Sequence, residues 1–162
     1  LSIIAERFSK IGSKPEMELI YVNEVLENAT EYMRRRVSDK VLITTHLPSD
    51  AEGAMVCLSL FEWVIENLCK NAVDAMNGEG RIDVYMTSEK QQIYIDIKDT
   101  GKGIARKNFK TVFNPGYTTK KRGWGLGLSL VKRIIEEYHG GKIYVKQSEI
   151  NKGTTFRIVL RK

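Results

Sequence analysis

Two cysteines, two histidines and three prolines are all that the 162 residues contain, and each scarcity closes off a class of protein. Cys57 and Cys69 fall in one predicted helix, where ~1.5 Å of rise per residue sets them roughly 18 Å apart, too far to bridge. A disulfide scaffold is excluded, and free thiols suit a reducing cytosol, so the sequon Asn28-Ala29-Thr30 is read as chance and the location as cytoplasmic. His46 and His139 have no metal-ligand company and no Ser/His/Asp or Cys/His arrangement around them, and both are read as structural. No apolar run approaches the ~20 residues of a bilayer span, since "AMVCLSLF" is cut at Glu62, and no signal peptide opens the chain. A one-signed charge is missing too. The 26 basic residues are interleaved with 20 acidic ones, so the net charge of +6 is explained by a local anion site as well as by nucleic acid, which is not expected as a partner.

Two familiar phosphate-binding signatures are also lacking. A dinucleotide-binding turn needs a third glycine where Leu128 stands and a strand where Lys120, Lys121 and Arg122 stand. A P-loop needs Gly-Lys before Ser or Thr, and the two Gly-Lys pairs run into Gly103 and Ile143. What is present is an alternation of glycines, Gly123, Gly125 and Gly127, directly before an amphipathic helical run. Glycines let a backbone approach a ligand, and free N–H groups at a helix start attract anions; an ordinary flexible loop is the competing reading.

Hydrophobic periodicity supplies the organisation. "LSIIAERFSKIGS" keeps helical spacing through Leu1, Ile4, Phe8 and Ile11 until Gly12 and Pro15, and looks like the cut end of a longer helix, so residues 1–14 are expected to be a remnant and linker and residues 15–162 one domain. A short strand at Leu19–Val22, a helix capped by Asn23 and running to Arg36, and a strand at Val41–Leu47 follow. A long helix is predicted over Met55–Met76, then strands at Ile82–Met86 and Ile93–Lys98. Residues 99–125 are irregular, apart from a short helix near Arg106–Phe113, and a segment of that length suggests a functional lid. A helix at Leu126–Tyr138 and strands at Lys142–Gln147 and Thr154–Leu160 close the chain. The fold class expected is α/β, a two-layer sandwich of a mixed, mostly antiparallel sheet with helices on one face.

Two constellations carry chemistry. Leu58, Phe61, Ile65, Leu68, Ala72 and Ala75 form one apolar stripe, and Asn67, Asn71 and Asp74 fall on the opposite face. Asparagine is a mediocre helix former. The face is either solvated surface or a set of carboxamide oxygens offered to Mg²⁺ and phosphate. Strand alternation puts Asp99 on the apolar side with Ile93, Ile95 and Ile97, where a carboxylate needs a donor. Either it caps its own turn, or, with Gly101 and Gly103 beside it, it accepts a hydrogen bond from an exocyclic amine such as that of adenine.

In this order the segments resemble the ATP-binding catalytic domain of sensor histidine kinases, in the GHKL ATPase/kinase superfamily, from about Leu19 to Lys162. "ENLCKNAVDAM" resembles the N box, Asp99-Thr100-Gly101-Lys102-Gly103 the G1 box, Phe113 in "VFNPGYTTK" the F box, Gly123 to Leu128 the G2 box, and Gly153-Thr154-Thr155 the terminal Gly-Thr block. The resemblance implies that Asp99 receives the adenine amine, that Asn71 holds Mg²⁺ and that Asn67 assists at the phosphates. Lys120 and Arg122 become lid cations at the γ-phosphoryl. Lys70, Asp74, Gly101, Gly103, Ile104, Phe113, Thr118, Thr119, Gly123, Gly125, Leu126, Gly127, Leu128, Thr154 and Thr155 complete the nucleotide site.

The gyrase, MutL and chaperone branches carry a glutamate, the base that activates water, where this chain has Asn67. An amide is no base, which favours transfer to a protein side chain over hydrolysis. Neither His46-Leu47 nor His139-Gly140 resembles the phosphoacceptor motif. The resemblance therefore implies a monomeric fragment that binds ATP and autophosphorylates negligibly, its acceptor and dimerisation domain upstream in a homodimeric parent and a response regulator receiver domain as partner. An anti-sigma-factor-like serine kinase of the same superfamily and a degenerate docking module are the rival readings.

Overall fold

The structure is a computed structural model that describes residues 15–117 and 127–162. Its elements run β1 (Glu18–Tyr21), α1 (Val22–Arg34), β2 (Val41–His46), β3 (Gly53–Val56), α2 (Leu58–Ala75), β4 (Gly80–Ser88), β5 (Gln92–Asp99), two short 3₁₀ turns (Arg106–Asn108 and Thr111–Phe113), α3 (Gly127–Arg133), a π-helical segment (Ile134–Tyr138), β6 (Lys142–Glu149) and β7 (Gly153–Arg161).

Strand alternation builds the larger sheet. Its order is β2-β4-β5-β7-β6, parallel between β2 and β4 and antiparallel elsewhere. Ile82, Val84, Ile93, Ile95, Ile97, Phe156 and Ile158 all point to one buried face, and the other carries exposed or half-buried Tyr85, Lys98, Tyr144 and Arg157. The helices cover the apolar face, with α2 packed across β4 and β5 and α1 packed beside it. The core is continuous between the two layers, and the expected two-layer α/β sandwich is the fold observed.

The structure departs from the sequence reading at three places. The long helix begins at Leu58, not Met55, because Gly53–Val56 pairs antiparallel with β1 as a separate two-stranded sheet in which Leu19 lies opposite Met55. Cys57 is the residue before the helix, outside its regular turns, and both cysteines are buried and free. Asn23 is not a helix cap: Tyr21 occupies that position, and the Asn23 amide donates to the Pro48 and Asp50 carbonyls and accepts from the Glu52 N–H, clamping the connection between β2 and β3. The last helix changes hydrogen-bond register after Arg133, which buries Ile134 and Ile135 side by side.

Candidate functional site

Asp99 ends β5 opposite Ile82, on the apolar face as its parity requires, and is 4% exposed. Its Oδ1 accepts from the Gly101 N–H at 2.8 Å and the Thr154 N–H at 3.3 Å. Its Oδ2 has no hydrogen-bond partner among the described residues. Burial pushes the carboxyl above its ordinary range, and the two backbone donors pull it part of the way back. A buried carboxylate with one oxygen satisfied and the other open is a site that wants a donor.

The segment after Asp99 is held on both sides. The Lys102 N–H donates to the Ala75 carbonyl at the end of α2, and the Lys102 carbonyl accepts from the Asn151 N–H in the β6–β7 turn. At Gly101 a Cβ atom would stand 2.6 Å from the Ala75 carbonyl oxygen, so only glycine allows this approach. These contacts bring the Asp99 loop to the end of the helix that carries the asparagines.

On α2, Asn67 and Asn71 are half-buried and Lys70 and Asp74 exposed, so the polar face is not simply solvated. The Asn71 amide donates to Asn67 Oδ1 at 3.5 Å. The first residue of α3, Gly127, lies against the same amide: a Cβ there would sit 3.0 Å from Asn67 Oδ1. Leu128 packs partly buried on the core next to it, as does Ile104 on the Asp99 loop.

Of the other predicted residues, Phe113 is 6% exposed and packs edge-on against Phe156, ring centroids 6.0 Å apart, so its ring is committed to the core. Thr154 and Thr155 are both buried at the start of β7, and with Asp99 they line a concavity of about 410 Å³ whose walls include Lys98, Ser148 and Lys152. A second concavity of about 400 Å³, between α1 and α2, contains none of the predicted residues. Thr118, Thr119, Lys120, Arg122, Gly123, Gly125 and Leu126 lie outside the described residues.

Both histidines make side-chain contacts within the fold. His46 Nε2 meets Asp83 Oδ1 at 2.9 Å and its ring stacks on Tyr85. His139 bridges the π segment to the start of α2 through the Ile134 carbonyl and the Cys57 N–H. No group of three His, Cys, Asp or Glu side chains that could hold a metal ion occurs among the described residues, and no helix among them is long and apolar enough to cross a membrane.

Sequence reasoning missed Ser148. Its hydroxyl touches both the Asp99 loop and Thr154. Alternation through Ile143 and Val145 points Gln147 inward, but a bulge between Val145 and Gln147 advances the register, so Ser148 faces Thr154 instead. No local signal marks that bulge.

The family model described as histidine kinase-, DNA gyrase B- and HSP90-like ATPase matches residues 58–162. The chain belongs to this family. Membership carries ATP binding, and the matched region contains the whole of the Asp99, Asn67 and Asn71 arrangement. This ATPase-family domain is 41% identical over 95 residues to sporulation kinase A of Bacillus subtilis (strain 168), covering 59% of this chain and 15% of that protein. It is 41% identical over 97 residues to sensor histidine kinase ZraS of Escherichia coli (strain K12), covering 60% of this chain and 20% of that one. The chain thus spans a fifth or less of the length of these two relatives. Among solved structures it superposes on the nucleotide-free catalytic domain of histidine kinase ThkA with a TM-score of 0.81, at 24% identity over 91% of this chain and 96% of that one. ThkA in complex with the response regulator protein TrrA superposes with the same TM-score of 0.81, at 21% identity over 99% of this chain and 46% of that one. At these identities the superpositions establish the fold.

Proposed function

We propose that this domain is the ATP-binding catalytic part of a sensor histidine kinase, which binds Mg-ATP and donates the γ-phosphoryl to a histidine on a dimerisation domain outside this chain. The observation that carries the reading is Asp99, a buried carboxylate whose second oxygen has no partner among the described residues and whose loop is tied to the C-terminal end of α2, the helix that carries the asparagines. An exocyclic amine is the donor that fits it, and the half-buried amides of Asn67 and Asn71 fit the phosphate end. Asn71 would hold Mg²⁺, which supplies neutralisation of phosphate charge when bound. Asn67 stands where a hydrolase would need a base, and its Oδ1 is already engaged by the Asn71 amide. The names of the relatives, a sporulation kinase and a sensor histidine kinase, favour a protein histidine over water as acceptor. The γ-phosphoryl then leaves the bridging oxygen of ATP for a histidine nitrogen, with ADP as the other product. A response regulator is the partner expected next, by analogy with the ThkA complex.

Calorimetric titration with a non-hydrolysable ATP analogue tests the reading. Saturable binding in Mg²⁺ that weakens in EDTA is expected, and Asn71→Ala should bind equally in both. Equal titrations of the unmodified chain with and without metal would remove the Mg²⁺ role, and no binding in either condition would remove the function.

A further inference from the structure

Ser148 makes a full set of hydrogen bonds, and its partners among the described residues are two main-chain groups and one other hydroxyl. Its Oγ accepts from the Ile104 N–H at 2.7 Å. It lies 3.0 Å from the Gly153 carbonyl oxygen and 2.7 Å from Thr154 Oγ1. A hydroxyl has one proton and two lone pairs, and a carbonyl oxygen can only accept. The Ser148 proton therefore goes to Gly153, and its remaining lone pair takes the proton of Thr154. That assignment satisfies every group in the cluster; the reverse sets the Gly153 carbonyl against a bare lone pair.

The consequence falls on the ligand side. With its proton committed to Ser148, Thr154 Oγ1 has only lone pairs left to present, and the Thr154 N–H is already spent on Asp99 Oδ1. Asp99 Oδ2, on the carboxylate whose Oδ1 takes the Thr154 N–H, is likewise an acceptor. We propose that Ser148 is a positioning residue that makes Thr154 Oγ1 a second acceptor beside Asp99 Oδ2, a pair that selects a purine bearing an amine at its six position over one bearing a carbonyl there. Through the Ile104 N–H the same hydroxyl holds the Asp99 loop at the distance this selection requires. The inference rests on the ATP reading above and deepens it. A guanine nucleotide would bring its carbonyl oxygen against two oxygens with no proton between them, the arrangement that polar sites reject most strongly.

The test is titration of the chain with the non-hydrolysable analogues of ATP and GTP, with thermal melts in parallel. The unmodified chain should bind the adenine analogue and prefer it to the guanine one. Ser148→Ala frees the Thr154 proton to turn toward a carbonyl, and should weaken the adenine analogue roughly threefold to tenfold while narrowing the preference. Ser148→Thr, which keeps the hydroxyl, should restore both. A merely structural role would lower the melting temperature and weaken the two analogues by the same factor, leaving their ratio unchanged, and that result overturns the proposal. If Ser148→Ala does not fold, Thr154→Val removes the oriented hydroxyl while Ser148 stays in place, and an unchanged ratio there overturns it equally. Failure of the unmodified chain to bind either analogue would instead overturn the ATP reading, and this inference with it.

Discussion

At the scale of one residue, Asp99 holds a charge where burial opposes it. Its carboxyl is raised by desolvation, so the folded state holds the proton more tightly than the unfolded chain does. The sign follows: stability is greatest below the ordinary value of 3.8 and is lost as pH rises through the folded value, the cost of an ion whose Oδ2 has no partner among the described residues. Asp99→Asn should therefore fold at least as stably at neutral pH and flatten that part of the stability profile, measured by denaturant unfolding at several pH values. The same change presents an N–H to the ligand amine and should weaken ATP-analogue binding by about 1–3 kcal/mol. Unchanged affinity would remove Asp99 from the site. The inward direction of Asp99 was legible from the alternation of three isoleucines before it. Its partnership with Thr154, 55 positions away, was not.

At the scale of an element, the last helix depends on a histidine that the sequence marks as structural without naming its partners. His139 follows the π segment, and its ring nitrogens have opposite duties: Nδ1 donates to the Ile134 carbonyl at 2.9 Å and Nε2 accepts from the Cys57 N–H at 3.1 Å. Only the neutral ring can do both. Burial lowers the pKa of His139 below the ordinary 6.5, and the hydrogen bond to Ile134 offsets this in part. A depressed histidine contributes stability that is fully present above 6.5 and is lost as pH falls below it, because the unfolded chain takes up the proton first. Denaturant unfolding at pH values on either side of 6.5 should show this loss, and His139→Ala should abolish it. The alanine also leaves a half-buried Cys57 N–H without its acceptor, for about 1–3 kcal/mol lower stability at neutral pH. If the variant keeps the wild-type pH dependence between 5 and 7, another group is responsible.

At the scale of the whole molecule, the sheet separates two chemistries. Its inner face is apolar and ends in the site, and its outer face is held by ion pairs that link three neighbouring strands, β5, β7 and β6. Arg157 donates to both oxygens of Asp96 at 2.7 and 2.8 Å, and Lys146 adds a third contact at 3.3 Å. Burial raises the Asp96 carboxyl, but the hydrogen bonds and charges of Arg157 and Lys146 outweigh it and hold it below its ordinary 3.8. The stability it contributes is thus present above 3.8 and lost as pH falls through the folded value. Asp96→Asn should cost about 2 kcal/mol at neutral pH, since it leaves a largely covered guanidinium with a weaker acceptor, and should blunt the acid transition. ATP-analogue affinity should not change, because Asp96 faces away from the site; a large loss of affinity would mean that the two faces are coupled.

The amino-acid sequence by itself determined what repeats within a few residues. The α2 stripe with asparagines opposite and the inward parity of Asp99 are set by helix and strand periods that each short segment expresses alone, and the order of glycine-containing boxes carries the family resemblance. They were enough for the fold class and the family. Only the tertiary structure decided what depends on pairing across distance: β3 forming against β1, Gly127 lying on Asn67, and the bulge in β6 that turns Ser148 inward. Each of those is a choice among registers with similar local energies, settled by long-range packing that no short stretch of the chain contains.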